Sequence, residues 1–79
     1  MNYVYILKSE MDNRYYIGST ENLEMRLKAH NRGSVKSTKN RRPLKLVWSE
    51  KYFTRAEAMK REKKIKSYKG GEAFKLLLE

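Results

Sequence analysis

Five side chains in this sequence offer chemistry that local structure alone does not require: Tyr5, Tyr16, Arg26, His30 and Glu62. A guanidinium is always charged, and its planar fork of donors matches phosphate oxygens in a way that lysine copies poorly. An imidazole gains or loses its proton near neutral pH. A phenol can orient or deprotonate water, but with an ordinary pKa of about 10 it needs nearby cations to become a useful base. A carboxylate set among apolar residues needs a partner, either a cation or a bound metal.

Each of the five also has an ordinary explanation. Tyrosine is a good strand residue with a large apolar body, and six tyrosines in 79 residues must be mostly structural. Arg26 can lay its stem along an apolar stripe, and His30 can pack or cap near a helix C-terminus. Glu62 can pair with Lys66 one helical turn on. The i, i+4 spacing of Arg26 and His30 favours a joint role, and Glu62 stands out because Glu57 is accounted for by a helix cap.

The elements that must position these groups follow from pattern. Tyr3 to Lys8 reads as a strand with Tyr3, Tyr5 and Leu7 on one face and Val4 and Ile6 on the other. Both faces are apolar or aromatic, which suits a central strand. Asp12-Asn13 suits a hairpin turn, because both residues tolerate positive φ. With those two as the loop, Met11 faces Arg14, Ser9 faces Tyr16 and Leu7 faces Gly18, so Tyr5 and Tyr16 share a face. Tyr15, Tyr16 and Ile17 continue the second strand to Gly18, and Thr20 or Asn22 suits a helix N-cap.

Leu23 to Arg32 reads as a helix ending at Gly33, with Leu23, Arg26, Leu27 and His30 along one stripe. Ser34 to Arg42 is polar, cationic and aperiodic, hence a loop. After Pro43, Leu44 to Phe53 reads as a third strand in which Leu44, Leu46 and Trp48 alternate with Lys45, Val47 and Ser49. Thr54-Arg55-Ala56-Glu57 is a capping box opening a helix to about Tyr68, before Gly70-Gly71. Its apolar stripe is Ala58, Met59 and Ile65, with Glu62 inside it by spacing. Glu72 to Leu78 then reads as a short helix carrying Phe74, Leu77 and Leu78 to the core.

Composition bounds the rest. A chain of 79 residues that is 39% hydrophobic makes a single domain, residues 1–79, with a thin core. There is no cysteine, which excludes disulfides, thiolate metal sites and thiol nucleophiles. No apolar run is long enough to cross a bilayer and no secretory signal is apparent, so the expectation is a soluble cytoplasmic protein without a membrane partner. Nineteen Lys and Arg against nine Asp and Glu give a net charge of +10. That surplus attracts polyanions, nucleic acid first, with ribosome association, an anionic membrane surface or simple solubility as other readings. The expected phosphate contacts are Lys36, Lys39, Arg41 and Arg42 in the loop and Lys60, Arg61, Lys63 and Lys64 on the later helix.

These positions, in this order, resemble the GIY-YIG endonuclease superfamily over essentially the whole chain. Tyr3-Val4-Tyr5 stands where the family has its first triplet, Tyr16-Ile17-Gly18 matches the second as written, Arg26 and His30 resemble the family's helix pair, and Glu62 its metal-binding glutamate. The resemblance is to short bacterial proteins similar to the N-terminal nuclease domain of the excinuclease C subunit. It implies a small α/β (α+β) domain, a three-stranded antiparallel sheet flanked by helices in the order β-β-α-β-α-α, which agrees with the elements read above.

The resemblance further implies hydrolysis of DNA phosphodiesters with a single Mg²⁺. Glu62 would hold the ion, Arg26 would neutralise charge on the phosphate, and Tyr16 or Tyr5 would orient or deprotonate water. His30 would accept that proton or position a tyrosine, and Gly18 would allow close approach of the backbone. The rival from another class is a nucleic-acid-binding module of the same fold without catalysis, and a third is a basic adaptor for another protein. The first two predict binding that weakens by about 0.9 log units per log unit of salt for each neutralised phosphate on duplex DNA, and only the first predicts turnover.

Overall fold

A computed structural model describes all residues, Met1–Glu79. Strands β1 (Asn2–Ser9) and β2 (Tyr15–Thr20) are followed by α1 (Leu23–Asn31), a single 3₁₀ turn at Lys39–Arg41, β3 (Leu44–Tyr52), α2 (Arg55–Lys66) and α3 (Glu72–Leu78). The sheet is antiparallel in the order β2-β1-β3, so the strand that is apolar on both faces is the central one. Its alternation feeds two cores. Val4 and Ile6 pack with Ala58 and Ile65 of α2 and Phe74 of α3. Tyr5 and Leu7 pack on the opposite face with Leu44 and, from α1, Leu23 and Leu27. The expected fold class and element order are both found. No helix is long and apolar enough to cross a membrane.

The hairpin register differs from the two-residue expectation. Leu7 lies opposite Tyr16 rather than Gly18, and Gly18 lies opposite Tyr5. Ser9 causes the change: its hydroxyl accepts the backbone N–H groups of Met11 at 3.1 Å and Asp12 at 3.3 Å. The Asn13 N–H reaches back to the Ser9 carbonyl, and Asn13 itself adopts a φ of 59°. The result is a wider loop, Glu10 to Asn13, closed by the Ser9 N–H donating to the Arg14 carbonyl. A shift of two residues leaves every side chain on its expected face. Tyr5 and Tyr16 therefore still share one.

Strand β3 also departs from simple alternation. Ile6 pairs with Trp48 and Leu7 with Leu46, which leaves Val47 as the extra residue of a β-bulge. The bulge sends Leu44 and Leu46 to the Tyr5 face and Trp48 and Tyr52 to the Val4 face. One edge strand thus seals both cores.

The helix termini follow their signals. Asn22, rather than Thr20, caps α1 by accepting the Met25 N–H at 3.1 Å. At the other end the Gly33 N–H donates to the His30 carbonyl and the Ser34 N–H to the Ala29 carbonyl, with Gly33 at φ +87°. That is the Schellman arrangement, and it needs glycine at this one place. The capping box of Thr54 and Glu57 is complete, but α2 stops at Lys66, two residues before Tyr68. Met59, expected in the buried stripe, is 51% exposed, because the residues of α2 that bury completely are Ala58 and Ile65.

Candidate active site

Tyr5 is at the centre of the site. Its side chain leaves the central strand under α1, and its hydroxyl lies 2.9 Å from His30 Nε2 and accepts Arg26 Nε–H at 3.4 Å. A Cβ at Gly18, directly across the strand pair, would sit 2.6 Å from the Tyr5 hydroxyl oxygen. Gly18 is there to make room for that phenol. The Tyr16 ring packs edge-on against His30 at 4.9 Å and lies 6.3 Å from Tyr5.

The phasing of α1 delivers Arg26 and His30 together. Leu23 and Leu27 bury against the Tyr5 face, so the residues between and after them on that stripe point to the same phenols. Asn31 fixes the helix to the sheet: its side-chain carbonyl accepts the Leu44 N–H at 2.8 Å and its amide donates to the Leu44 carbonyl at 2.9 Å. His30 is fully buried, and its other nitrogen, Nδ1, lies 2.8 Å from the Thr38 hydroxyl.

Burial dominates the electrostatics. It pushes the Tyr5 pKa up, overcoming the Arg26 hydrogen bond that pulls it down, while the Tyr16 and Glu62 charges add to the rise. The expectation that cations bring a tyrosine down into the useful range therefore fails at Tyr5. Burial, helped by the Arg26 charge, lowers His30 to about 4, so its imidazole is neutral at pH 7 and keeps one ring nitrogen as a hydrogen-bond acceptor. The same hydrogen bond to Tyr5 holds Arg26 firmly protonated.

Glu62 comes from the other layer. It lies on α2 and reaches the edge of the sheet, where Ser19 Oγ donates to one carboxylate oxygen at 2.7 Å and Lys66 Nζ approaches the other at 2.7 Å. Ser19 directly follows Gly18, and the carboxylate is close enough for its charge to be felt at Tyr5. No hydrogen bond joins it to the other four candidates. Four of the five converge as one cluster, and the fifth stands beside them across the β2 edge.

A cleft of about 370 Å³ beside Glu62 is also lined by Ser19, Glu21 and Arg55. No three acidic or imidazole side chains gather anywhere to cage a metal. One half-buried carboxylate opening on a polar cleft nevertheless suits a hard divalent ion that keeps several waters and shares a substrate phosphate oxygen.

The basic residues divide between the two sides of the sheet. The loop carrying Lys36, Lys39 and Arg42, all exposed, lies on the α1 side with Thr38. Arg41 in that loop is engaged by Asp12 at 3.4 Å, and its carbonyl accepts the Ser9 hydroxyl at 2.6 Å. On α2, Lys60, Lys63 and Lys64 are exposed, while Arg61 pairs with Glu50 at 3.3 Å and lies over the Trp48 ring. All four line a groove of about 680 Å³ with Tyr52 and Ser67.

Two site residues escaped sequence reasoning. Thr38 is one polar residue in a cationic loop, and Ser19 lies between Gly18 and the cap candidate Thr20 with no role of its own. Neither has a periodic or motif signal, and only the folded chain brings them to His30 and Glu62.

A small antiparallel sheet with paired tyrosines under one helix, and an acidic side chain arriving from a second helix across the sheet, defines the GIY-YIG class of nuclease domain. The chain belongs to that family: residues 1–73 match the model of the GIY-YIG catalytic domain. It is 43% identical to a UPF0213 protein of Staphylococcus haemolyticus, over 99% of this chain and 95% of the relative. It is 46% identical to a UPF0213 protein of Clostridium perfringens, over 98% of this chain and 83% of the relative. The solution NMR structure of a UPF0213 protein from Bacillus halodurans has a similar fold, with a TM-score of 0.60, 35% identity and coverage of 96% of this chain and 82% of that one.

Proposed function

We propose that this domain hydrolyses DNA phosphodiester bonds with one Mg²⁺, acting at a branch, nick or lesion in repair or recombination. The observation that carries the reading is the hydrogen-bonded set of Tyr5, His30 and Arg26, with Tyr16 packed against it, on the face where Gly18 makes room for the Tyr5 phenol. Glu62 would hold the metal, which would supply Lewis acidity at the phosphate. Arg26, half-buried, binds the phosphate and offsets the charge that builds on it. Water attacks phosphorus as the bond to the leaving sugar oxygen breaks. Tyr16, less buried than Tyr5, is the phenol that meets and orients the water, and neutral His30 holds Tyr5 in place beside it through the hydrogen bond at Nε2.

Selectivity for DNA shape rather than sequence is supported by the kind of contact available. Exposed lysines on both sides of the sheet engage phosphates, which position a substrate but carry no base code. A junction or flap offers backbone to two such surfaces at once.

The binding-module reading has one observation in its favour. Both Glu62 oxygens already have partners, in Ser19 and Lys66. Wild type and Glu62→Ala separate the two readings when incubated with supercoiled plasmid and with branched DNA, each with Mg²⁺ and with EDTA, scoring cleavage and binding together. Cutting that needs both Mg²⁺ and Glu62 is the expected result. Tight binding with no cutting in any sample supports the module.

A further inference from the structure

Between Ser34 and Arg42, a segment with four cations, Thr38 is the one buried residue. Its hydroxyl lies 2.8 Å from His30 Nδ1 and 3.4 Å from the Val35 carbonyl. Across the same imidazole, Nε2 is 2.9 Å from the hydroxyl of Tyr5, a residue only 1% exposed.

The direction of each proton follows from the donors. The Tyr5 oxygen accepts Arg26 Nε–H, and a guanidinium has no lone pair to return. The Tyr5 proton, shut off from water, therefore has His30 Nε2 as its acceptor. A neutral imidazole carries one N–H, so that hydrogen is on Nδ1 and is donated to Thr38 Oγ1. The Thr38 proton then goes to the Val35 carbonyl. Every proton in the buried chain has a place.

We propose that Thr38 is a positioning residue: its hydroxyl selects the Nδ1–H tautomer of His30 and so keeps Nε2 free to accept the hydrogen bond of the Tyr5 hydroxyl. The loop then has two roles. Its exposed lysines meet the phosphate backbone while its one buried side chain sets the hydrogen-bond acceptor of Tyr5, so substrate contact and the placing of Tyr5 depend on the same segment. Only the cleavage arm of the following test rests on the nuclease reading.

His30 is the only histidine in the chain, so an imidazole ¹⁵N spectrum contains a single pair of ring nitrogens. At pH 7 the wild type is expected to show protonated Nδ1 and unprotonated Nε2. Thr38→Val replaces the hydroxyl with a methyl of similar shape and is expected to move most of the population to Nε2–H, while Thr38→Ser retains Nδ1–H. In cleavage of branched DNA, Thr38→Val is expected to lower kcat by roughly 10- to 100-fold with KM little changed, and Thr38→Ser to recover it.

Protonated Nε2 in the wild type overturns the proposal, as does an unchanged tautomer in folded Thr38→Val. If Thr38→Val does not fold, Thr38→Ala is measured in its place. Loss of the fold in both, with Thr38→Ser intact, makes Thr38 a structural residue and likewise overturns it. A wild type that cuts nothing removes the nuclease reading and leaves the tautomer assignment standing on the spectrum.

Discussion

The two faces of the sheet are held by different physics. On one, Val4 and Ile6 meet Ala58, Ile65 and Phe74, and the closure of α2 and α3 is apolar packing. On the other, fewer apolar side chains are buried, and α1 is tied down by polar contacts: Asn31 to the backbone of Leu44, and His30 to both Tyr5 and Thr38. Packing tolerates change in proportion to the volume removed, whereas a buried polar chain fails when one member is deleted and its partner is left unsatisfied. Strand β1 can serve both because its alternation separates them by a single residue. Stability is concentrated on the first face and four of the five candidate site residues on the second, with Glu62 reaching the sheet edge from α2.

That division is broken most directly by one variant from each face. Ile65→Ala, fully buried between α2 and the sheet, is expected to cost about 3–4 kcal/mol in urea unfolding while cleavage per folded molecule stays near wild type. Arg26→Ala is expected to lower cleavage by about 10²- to 10³-fold and to move unfolding by no more than about 1 kcal/mol. Parallel losses of stability and cleavage in both variants would sink the division.

His30 joins chemistry to stability through pH. Its folded pKa, about 4, lies below the ordinary 6.5, so the folded state resists a proton that the unfolded chain accepts. The contribution is fully present above pH 6.5, is lost as the pH falls from there towards 4, and then levels off. Up to about 3 kcal/mol is involved. Tyr5, Tyr16, Arg26 and Thr38 face the ring, and comparison with a variant that lacks the imidazole isolates its share of the slope. Urea unfolding of wild type and His30→Gln at pH 7.5 and 4.5 checks it. The stability difference between the two proteins is expected to shrink at the lower pH, and an equal difference at both refutes the assignment.

Gly18→Ala sharpens the comparison by acting on geometry alone. The new Cβ would sit 2.6 Å from the Tyr5 hydroxyl oxygen and 3.2 Å from the Tyr16 ring, a cost of about 1–3 kcal/mol. The ring carbon that bears the hydroxyl is at 2.7 Å as well, so Tyr5→Leu in the same chain, which removes both atoms, is expected to recover part of that loss. A double-mutant cycle by urea unfolding reads the coupling, and strict additivity refutes the close approach.

Much of this arrangement was legible before folding, for reasons that also mark where legibility ends. Tyr5, Tyr16, Arg26 and His30 were brought together by two periods, two residues along a strand and about 3.6 along a helix, and these survive a register error of two. The error itself arose because the Ser9 hydroxyl wraps the hairpin loop, a choice between turn geometries that residue identities at Asp12 and Asn13 do not settle. Trp48 changed faces because a bulge leaves no mark on alternation. Met59 was misplaced because a short helix over a narrow sheet buries a narrower stripe than spacing suggests. Thr38 and Ser19 contribute through contacts distant in sequence, 8 residues to His30 and 43 to Glu62.

The smallest effect on stability bears on the metal. Lys66 and Glu62 form an i, i+4 pair on α2, with the lysine side chain 55% exposed and the carboxylate 19% exposed. Such a pair contributes no more than about 0.5 kcal/mol, so Lys66→Ala is expected to leave unfolding almost unchanged. It also removes a cation from the oxygen that a divalent ion would reach in the proposed mechanism, whereas Ser19 on the other oxygen keeps the carboxylate oriented. Mg²⁺ affinity, followed through the backbone amide resonances of Ser19 and Glu62, is expected to rise several-fold in Lys66→Ala and to vanish in Glu62→Gln. Binding that survives Glu62→Gln places the ion elsewhere and removes Glu62 from the mechanism. Binding absent from all three proteins, with DNA affinity intact, means that the polar face positions a phosphate without hydrolysing it, and the two faces then differ in how they hold the fold but not in catalysis.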